Sequence, residues 1–174
     1  MSNPVWQYMS GINSLGGDFG AALGAMVGGT TPSSGAFPAS NDALLVPFYI
    51  HQSSLIKRLF AINGSSVSGN IDMGLYTQDG ARITSIGSTA QAGTSTIQFF
   101  DIADITLGPG RYYLAVAMDN TTGTLFRANP SVARLQAVGM AKQATAFALP
   151  SSITFATVTA LYLPLIGAEI SEIR

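Results

Sequence analysis

Residues 71–120 read IDMGLYTQDGARITSIGSTAQAGTSTIQFFDIADITLGPGRYYLAVAMDN, and this stretch decides the fold. Ile71, Met73 and Leu75 alternate with Asp72, Gly74 and Tyr76, the period-two pattern of a half-buried strand. Gln78-Asp79-Gly80-Ala81 is a tight-turn signal, since glycine takes the positive φ that such turns require. Arg82 to Ile86 returns as the hairpin partner, and Thr96 to Ile102 is a further strand. Gly108-Pro109-Gly110 turns the chain again. Tyr112, Leu114, Val116 and Met118 then alternate with Tyr113, Ala115 and Ala117. That spacing sends Tyr112 and Leu114 into a core and turns Tyr113 outward.

The same rhythm extends to both sides. Ala43 to Ile50 is a strand whose Pro47 assigns it to an edge or a bulge. Leu55 to Ile62 is apolar on both faces apart from Lys57 and Arg58, and Gly64 to Gly69 is a loop. After a turn at Asp119 to Gly123 comes a short strand, Thr124 to Ala128. Asn129-Pro130-Ser131 caps one or two helical turns running through Leu135. Ile153 to Ala156 and Ala160 to Ile166 complete the set, with Pro164 again marking an edge or bulge. About eight short strands with frequent turns predict an all-β fold, an antiparallel sandwich or jelly roll, over residues 42–174. No βαβ rhythm occurs, which argues against a parallel α/β architecture.

Residues 30–41 read TTPSSGAFPASN, a Ser/Thr/Pro/Gly linker that separates this domain from an N-terminal arm. In the arm Val5, Tyr8, Ile12, Leu15, Phe19, Ala22 and Met26 step by threes and fours, a heptad seam, and Asn3-Pro4 is a plausible helix start. Gly16, Gly20, Gly24 and Gly28 form a second stripe, and each glycine disfavours helix by about 1 kcal/mol relative to alanine. Such a helix needs a cover for its seam before it is stable in water. Four readings stay open: a helix in an oligomeric bundle or docked on a partner, an extended tether, a membrane-active segment, or a helix packed on its own domain. The first two make residues 1–41 an attachment arm, anchored by Val5, Trp6, Tyr8, Ile12, Leu15 and Phe19.

The 174 residues are 47% hydrophobic and only 10% charged, against roughly 25% in an average soluble domain. A net charge of -1 gives nothing to neutralise a phosphate backbone, so a dedicated nucleic-acid role is not expected. Zero cysteines exclude disulfides, thiolate chemistry and cysteine-based zinc sites. Met1 to Gly11 lacks the basic start of a secretory signal, and the apolar run Phe19 to Val27 is too short to span a bilayer.

No constellation for catalysis emerges, so the expectation is a non-enzymatic protein without cofactor or metal. His51 is the sole histidine, and no GxSxG elbow supplies a nucleophile for it. Asp72 and Asp79 flank one hairpin, Asp101 and Asp104 flank a loop, and aspartate at such places serves turn chemistry. Glu169 and Glu172 sit near the C-terminus. Asp119-Asn120, like Asp101 and Asp104, supplies oxygen ligands without EF-hand spacing for calcium. Tyr76 and Tyr113 fall on the polar side of their strands, where they would form either a glycan platform or part of a subunit interface.

Residues 71–120 also resemble, in their order of strand, Asp-Gly hairpin, strand, long loop, strand and a final L-x-P-G-x-Y-Y-L-A-V-like strand, two groups of proteins. One is the bacteriophage virion proteins with small β-sandwich domains, such as capsid decoration or cement proteins, head fibres and tail fibres. The other is the accessory C-terminal β-sandwich domain of secreted bacterial enzymes. An N-terminal arm departs from the second group. The resemblance therefore implies a virion structural protein, homotrimeric, contacting other virion proteins and no membrane. The alternative it leaves is a carbohydrate-binding module, as a host-receptor tip or a secreted accessory domain.

Overall fold

The computed structural model describes residues 7–9, as backbone, and residues 32–172. Fourteen strands and one helix lie among them. They are β1 (Gln7–Met9), β2 (Ser33–Ala36), β3 (Ala43–Ile50), β4 (Ser54–Ile62), β5 (Asn70–Thr77), β6 (Arg82–Ser85), β7 (Thr89–Ala90), β8 (Ile97–Leu107), β9 (Gly110–Met118) and β10 (Thr124–Ala128). Helix α1 (Val132–Ala137) follows, then β11 (Ala141–Gln143), β12 (Ala156–Thr157), β13 (Leu163–Pro164) and β14 (Ile166–Glu172). Every paired strand is antiparallel.

The strands make a sandwich. The largest sheet, called C here, runs β12-β11-β3-β9-β5-β6, with β7 also on β5. Sheet A runs β1-β14-β4-β8, and a small sheet B runs β13-β10-β2. Alternation builds the core. Leu44, Val46, Phe48 and Ile50 of β3, Ile71, Met73 and Leu75 of β5, and Leu114, Val116 and Met118 of β9 leave sheet C on one face. They meet Ile56, Leu59 and Ala61 of β4, Phe100 of β8, and Ile166 and Ala168 of β14. Phe37, Leu125, Ala128 and Leu163 from the region of sheet B join the same core. Fully burying one such side chain contributes roughly 1.5–3 kcal/mol.

The hairpin at Gln78 to Ala81 forms as its sequence predicts, with Gly80 at φ +87 and the Thr77 and Ala81 backbones bonded. Ser131 caps α1 by accepting from the Arg134 amide. Pro47 lies beyond the end of β11, which pairs with β3 only across Ala43–Leu45, so no ladder bond is lost on that side. Gly108-Pro109 turns the chain as expected, but its flanks are not hairpin partners. β8 pairs with β4 and β9 with β3 and β5, so the turn carries the chain from sheet A to sheet C.

Two sequence expectations are corrected here. Residues 33–37, assigned by composition to the linker, belong to the sandwich: β2 pairs with β10 and Phe37 is buried in the core. Polar residues around Phe37 concealed one short strand on a small sheet. In the arm, Gln7–Met9 is extended and pairs with β14 through Gln7↔Ile170, Tyr8↔Glu169 and Met9↔Ala168. A helical seam therefore does not run through Tyr8. Val5, Trp6, Ile12, Leu15 and Phe19 lie outside the described residues. Among the described residues, no helix is long and apolar enough to cross a membrane.

Candidate functional site

Tyr76 and Tyr113 do share a sheet face, directly opposite one another on β5 and β9. They are not a platform. Ala43, Leu45, Tyr76, Tyr113, Ala115 and Ala117 form a second buried cluster with Ala141, Ala146, Leu149 and Ile153. The segment from β11 to β12 thus lies across the outer face of sheet C. Tyr76 is completely buried and donates its hydroxyl to the Pro150 carbonyl at 2.7 Å. Tyr113 packs on Phe155 at 4.8 Å between centroids, with the Arg111 guanidinium over its ring at 5.2 Å. The cover is the chain's own segment, so neither ring is offered to a sugar.

Three successive outward residues of β5 hold that segment down. Asp72 accepts from the Leu149 amide at 2.8 Å and from the Ser85 hydroxyl. Gly74 makes room: a Cβ there would sit 2.6 Å from the Thr84 carbonyl oxygen and 3.0 Å from Leu149 Cδ1. Tyr76 closes the row. Arg82 adds a donor to the Leu149 carbonyl, and its amide bonds to the Ser151 carbonyl at 2.9 Å. Burial pushes the Asp72 carboxyl above its ordinary value, against the pull of the Ser85, Leu149 and Gly87 hydrogen bonds and the nearby Arg82 charge. Burial likewise pushes the Tyr76 hydroxyl up. This cluster of acid, tyrosine and arginine is a clamp.

The other acids are dispersed. Asp79 is exposed beside Gly80 at the hairpin turn, and His51 is exposed in the bend between β3 and β4. Asp119 accepts from the Asn70 amide at 2.9 Å, from the Asn70 side chain and from the Asn120 side chain. Those bonds, the Asn70 amide first, hold its carboxyl below the ordinary value. Among the described residues, no group of three or more His, Asp or Glu side chains is placed to hold a metal ion.

One place does gather charge. Sheet A is irregular at Lys57. Between Ile56↔Ile105 and Arg58↔Asp101, β4 advances two residues while β8 advances four. On the other side, adjacent Glu169 and Ile170 face Arg58 and Ile56, so β4 carries one residue more than β14. These bulges open a pocket of about 410 Å³ lined by Lys57, Arg58, Asp101, Ile102, Asp104 and Glu169. Arg58 is ion-paired to Glu169, whose side chain is only 8% exposed. The Arg58 guanidinium also lies over the Phe99 ring at 4.6 Å from its centroid. Phe99 is 41% exposed and Ile97, two residues earlier on the same strand face, is 46% exposed.

The acids of this pocket were legible as residues but not as a group. Lys57, Arg58, Ile102 and Phe99 carried no functional reading in the sequence. One signal was present: adjacent Lys57 and Arg58 inside an apolar strand cannot both point to solvent unless the strand is bulged. No family model matches the chain, and no curated protein matches it in sequence.

Proposed function

We propose that the chain is a non-enzymatic structural subunit of a bacteriophage particle, attached through its N-terminal arm and decorating, cementing or projecting from that particle. The observation that carries this reading is the exposed apolar edge of sheet A opposite β1. β1 adds to the edge of sheet A by backbone pairing with β14, and the opposite edge strand, β8, presents Ile97 and Phe99 to solvent. Strand addition and exposed apolar edges are means by which β subunits join neighbours. A chain with so few charges also suits a life packed against other subunits.

In this reading Val5, Trp6, Ile12, Leu15 and Phe19 supply the anchoring, while Tyr8 lies in β1 against its own sheet. Each large side chain buried against a partner contributes roughly 1.5–3 kcal/mol before ordering costs are subtracted. Assembly as a homotrimer would multiply the attachment through avidity. Since β1 pairs within its own chain, the arm residues on either side of it carry the contact to neighbours. Deleting residues 1–30 removes only β1 from the described fold. The truncated chain is expected to stay folded, by circular dichroism and thermal melting, and to be lost from assembled particles. Incorporation of the truncated chain at full-length occupancy would refute the reading.

A further inference from the structure

We propose that the bulge pocket on sheet A binds a neutral saccharide. The chain has eight basic and nine acidic residues in all, and five of these seventeen line this one pocket. The concentration is local and built. Lys57 and Arg58 are brought to it by the extra residue in β4, and Asp101 and Asp104 by the extra residues in β8. Glu169 arrives from β14 and is fixed by its pair with Arg58. Ile102 supplies an apolar wall.

The balance of the groups selects the ligand class. Among the described residues, three carboxylates face two cationic side chains, so their charges nearly cancel. A phosphate or sulfate would meet the three carboxylates. A bare cation would meet Lys57 and Arg58. A neutral polyol needs both kinds of partner at once, because each hydroxyl donates one hydrogen bond and accepts others. Asp101 and Asp104 take the donated bonds and the Lys57 ammonium supplies a donor, while Arg58 and Glu169, paired with each other, form the floor. The volume of about 410 Å³ falls within the range of small-ligand sites. Phe99 lies two residues from Asp101 on the same face of β8; the Arg58 guanidinium covers one side of its ring, and the remaining exposed part can border the apolar side of a pyranose. This inference does not rest on the virion reading, since it concerns the purified chain alone.

The test is a titration of the isotope-labelled full-length chain, followed by amide shifts and saturation transfer. The probes are glucose, galactose, mannose, N-acetylglucosamine and their common disaccharides. At least one is expected to bind with a dissociation constant on the order of millimolar. Its shifts should centre on residues 57–58, 101–104 and 169. Asp101→Asn and Asp104→Asn should each weaken binding by about tenfold or more, because a charge-assisted acceptor is lost. Both positions are exposed, and an unchanged melting curve verifies the fold of each variant. High salt should change the affinity by less than about twofold, as the ligand carries no charge. The proposal is overturned if none of the sugars binds or if the shifts fall elsewhere. It is equally overturned if both variants bind as tightly as the parent, or if only inorganic phosphate or calcium binds.

Discussion

The outer faces of sheets C and A start from the same strand rule and end differently. On sheet C the face away from the main core carries Ala43, Leu45, Gly74, Tyr76, Tyr113, Ala115 and Ala117, and the β11–β12 segment covers most of it. On sheet A the corresponding face carries Arg58 and Asp101, paired across strands, with Glu169 and the exposed Phe99. Small residues permit a third layer to approach closely. On sheet A the bulged strands gather charged residues around a pocket, although Phe60 and Glu169 beside it are buried. Tyr76 and Phe99 therefore differ in role: the first is a buried clamp on C, the second a half-exposed ring on A that rests on the buried Phe60.

The widest gap between the faces should appear on truncating one aromatic from each. Tyr76→Ala removes a fully buried ring and the hydrogen bond to Pro150. It should destabilise the fold by about 3–5 kcal/mol. Phe99→Ala, at 41% exposure, should cost about 1 kcal/mol or less. Urea denaturation of the two variants measures both. Equal losses would mean that the covering segment contributes little, and the contrast between faces would fall.

A smaller effect sharpens the role of the covering layer. Gly74→Val places its new carbons against the Thr84 carbonyl and Leu149. The closer contact is the Thr84 carbonyl, which is β6 backbone, so β6 must shift from β5, and the Leu149 side-chain tip must give as well. The expected loss is about 1–3 kcal/mol. Amide exchange should speed up from Ala146 to Ile153 more than in β4 or β8. Uniform acceleration throughout the chain would show instead that Gly74 supports the fold as a whole and not the cover in particular.

Which parts of this were readable beforehand follows from range. Alternation is local, so β3, β4, β5, β6, β9 and β10 were legible, as was the division of Tyr112 from Tyr113 between two faces. What covers a face is not local. Alternation with Tyr112 and Leu114 turns Tyr113 away from the main core, but the face it joins is covered, and Asp72 on that face accepts from Leu149, 77 positions away. The run of Ala43, Ala115 and Ala117 was the available warning, since alanine rather than Ser or Thr on a supposed solvent face implies a close neighbour. β2, β11, β12 and β13 are two to four residues long, shorter than any period can establish. The bulge pocket needed three strands in register, and only the Lys57-Arg58 pair hinted at it.

The smallest predicted effect sets two acids against each other. Asp72 has a raised pKa because burial disfavours its charge, and Asp119 a lowered one because backbone and side-chain donors favour it. By linkage, Asp72 is stabilising while protonated. Its contribution is full below the ordinary value of 3.8 and is lost as pH rises through the raised value. Asp119 has the opposite sign: its contribution is present above 3.8 and is lost as pH falls through the lowered value. Melting curves for the parent, Asp72→Asn and Asp119→Asn across the acid range separate the two. Subtracting each variant from the parent isolates one group from the remaining carboxylates. The Asp72 difference should shift against the parent as pH rises, because the parent must ionise a buried group and the variant need not. The Asp119 difference should shift toward the parent as pH rises from the lowered value to 3.8, below the interval in which Asp72 changes. If both differences run in the same direction, Asp72 is ionised at little cost, and water reaches it beneath the Leu149 segment. The third layer would then be a loose flap over sheet C, and the distinction between the two faces would be one of degree.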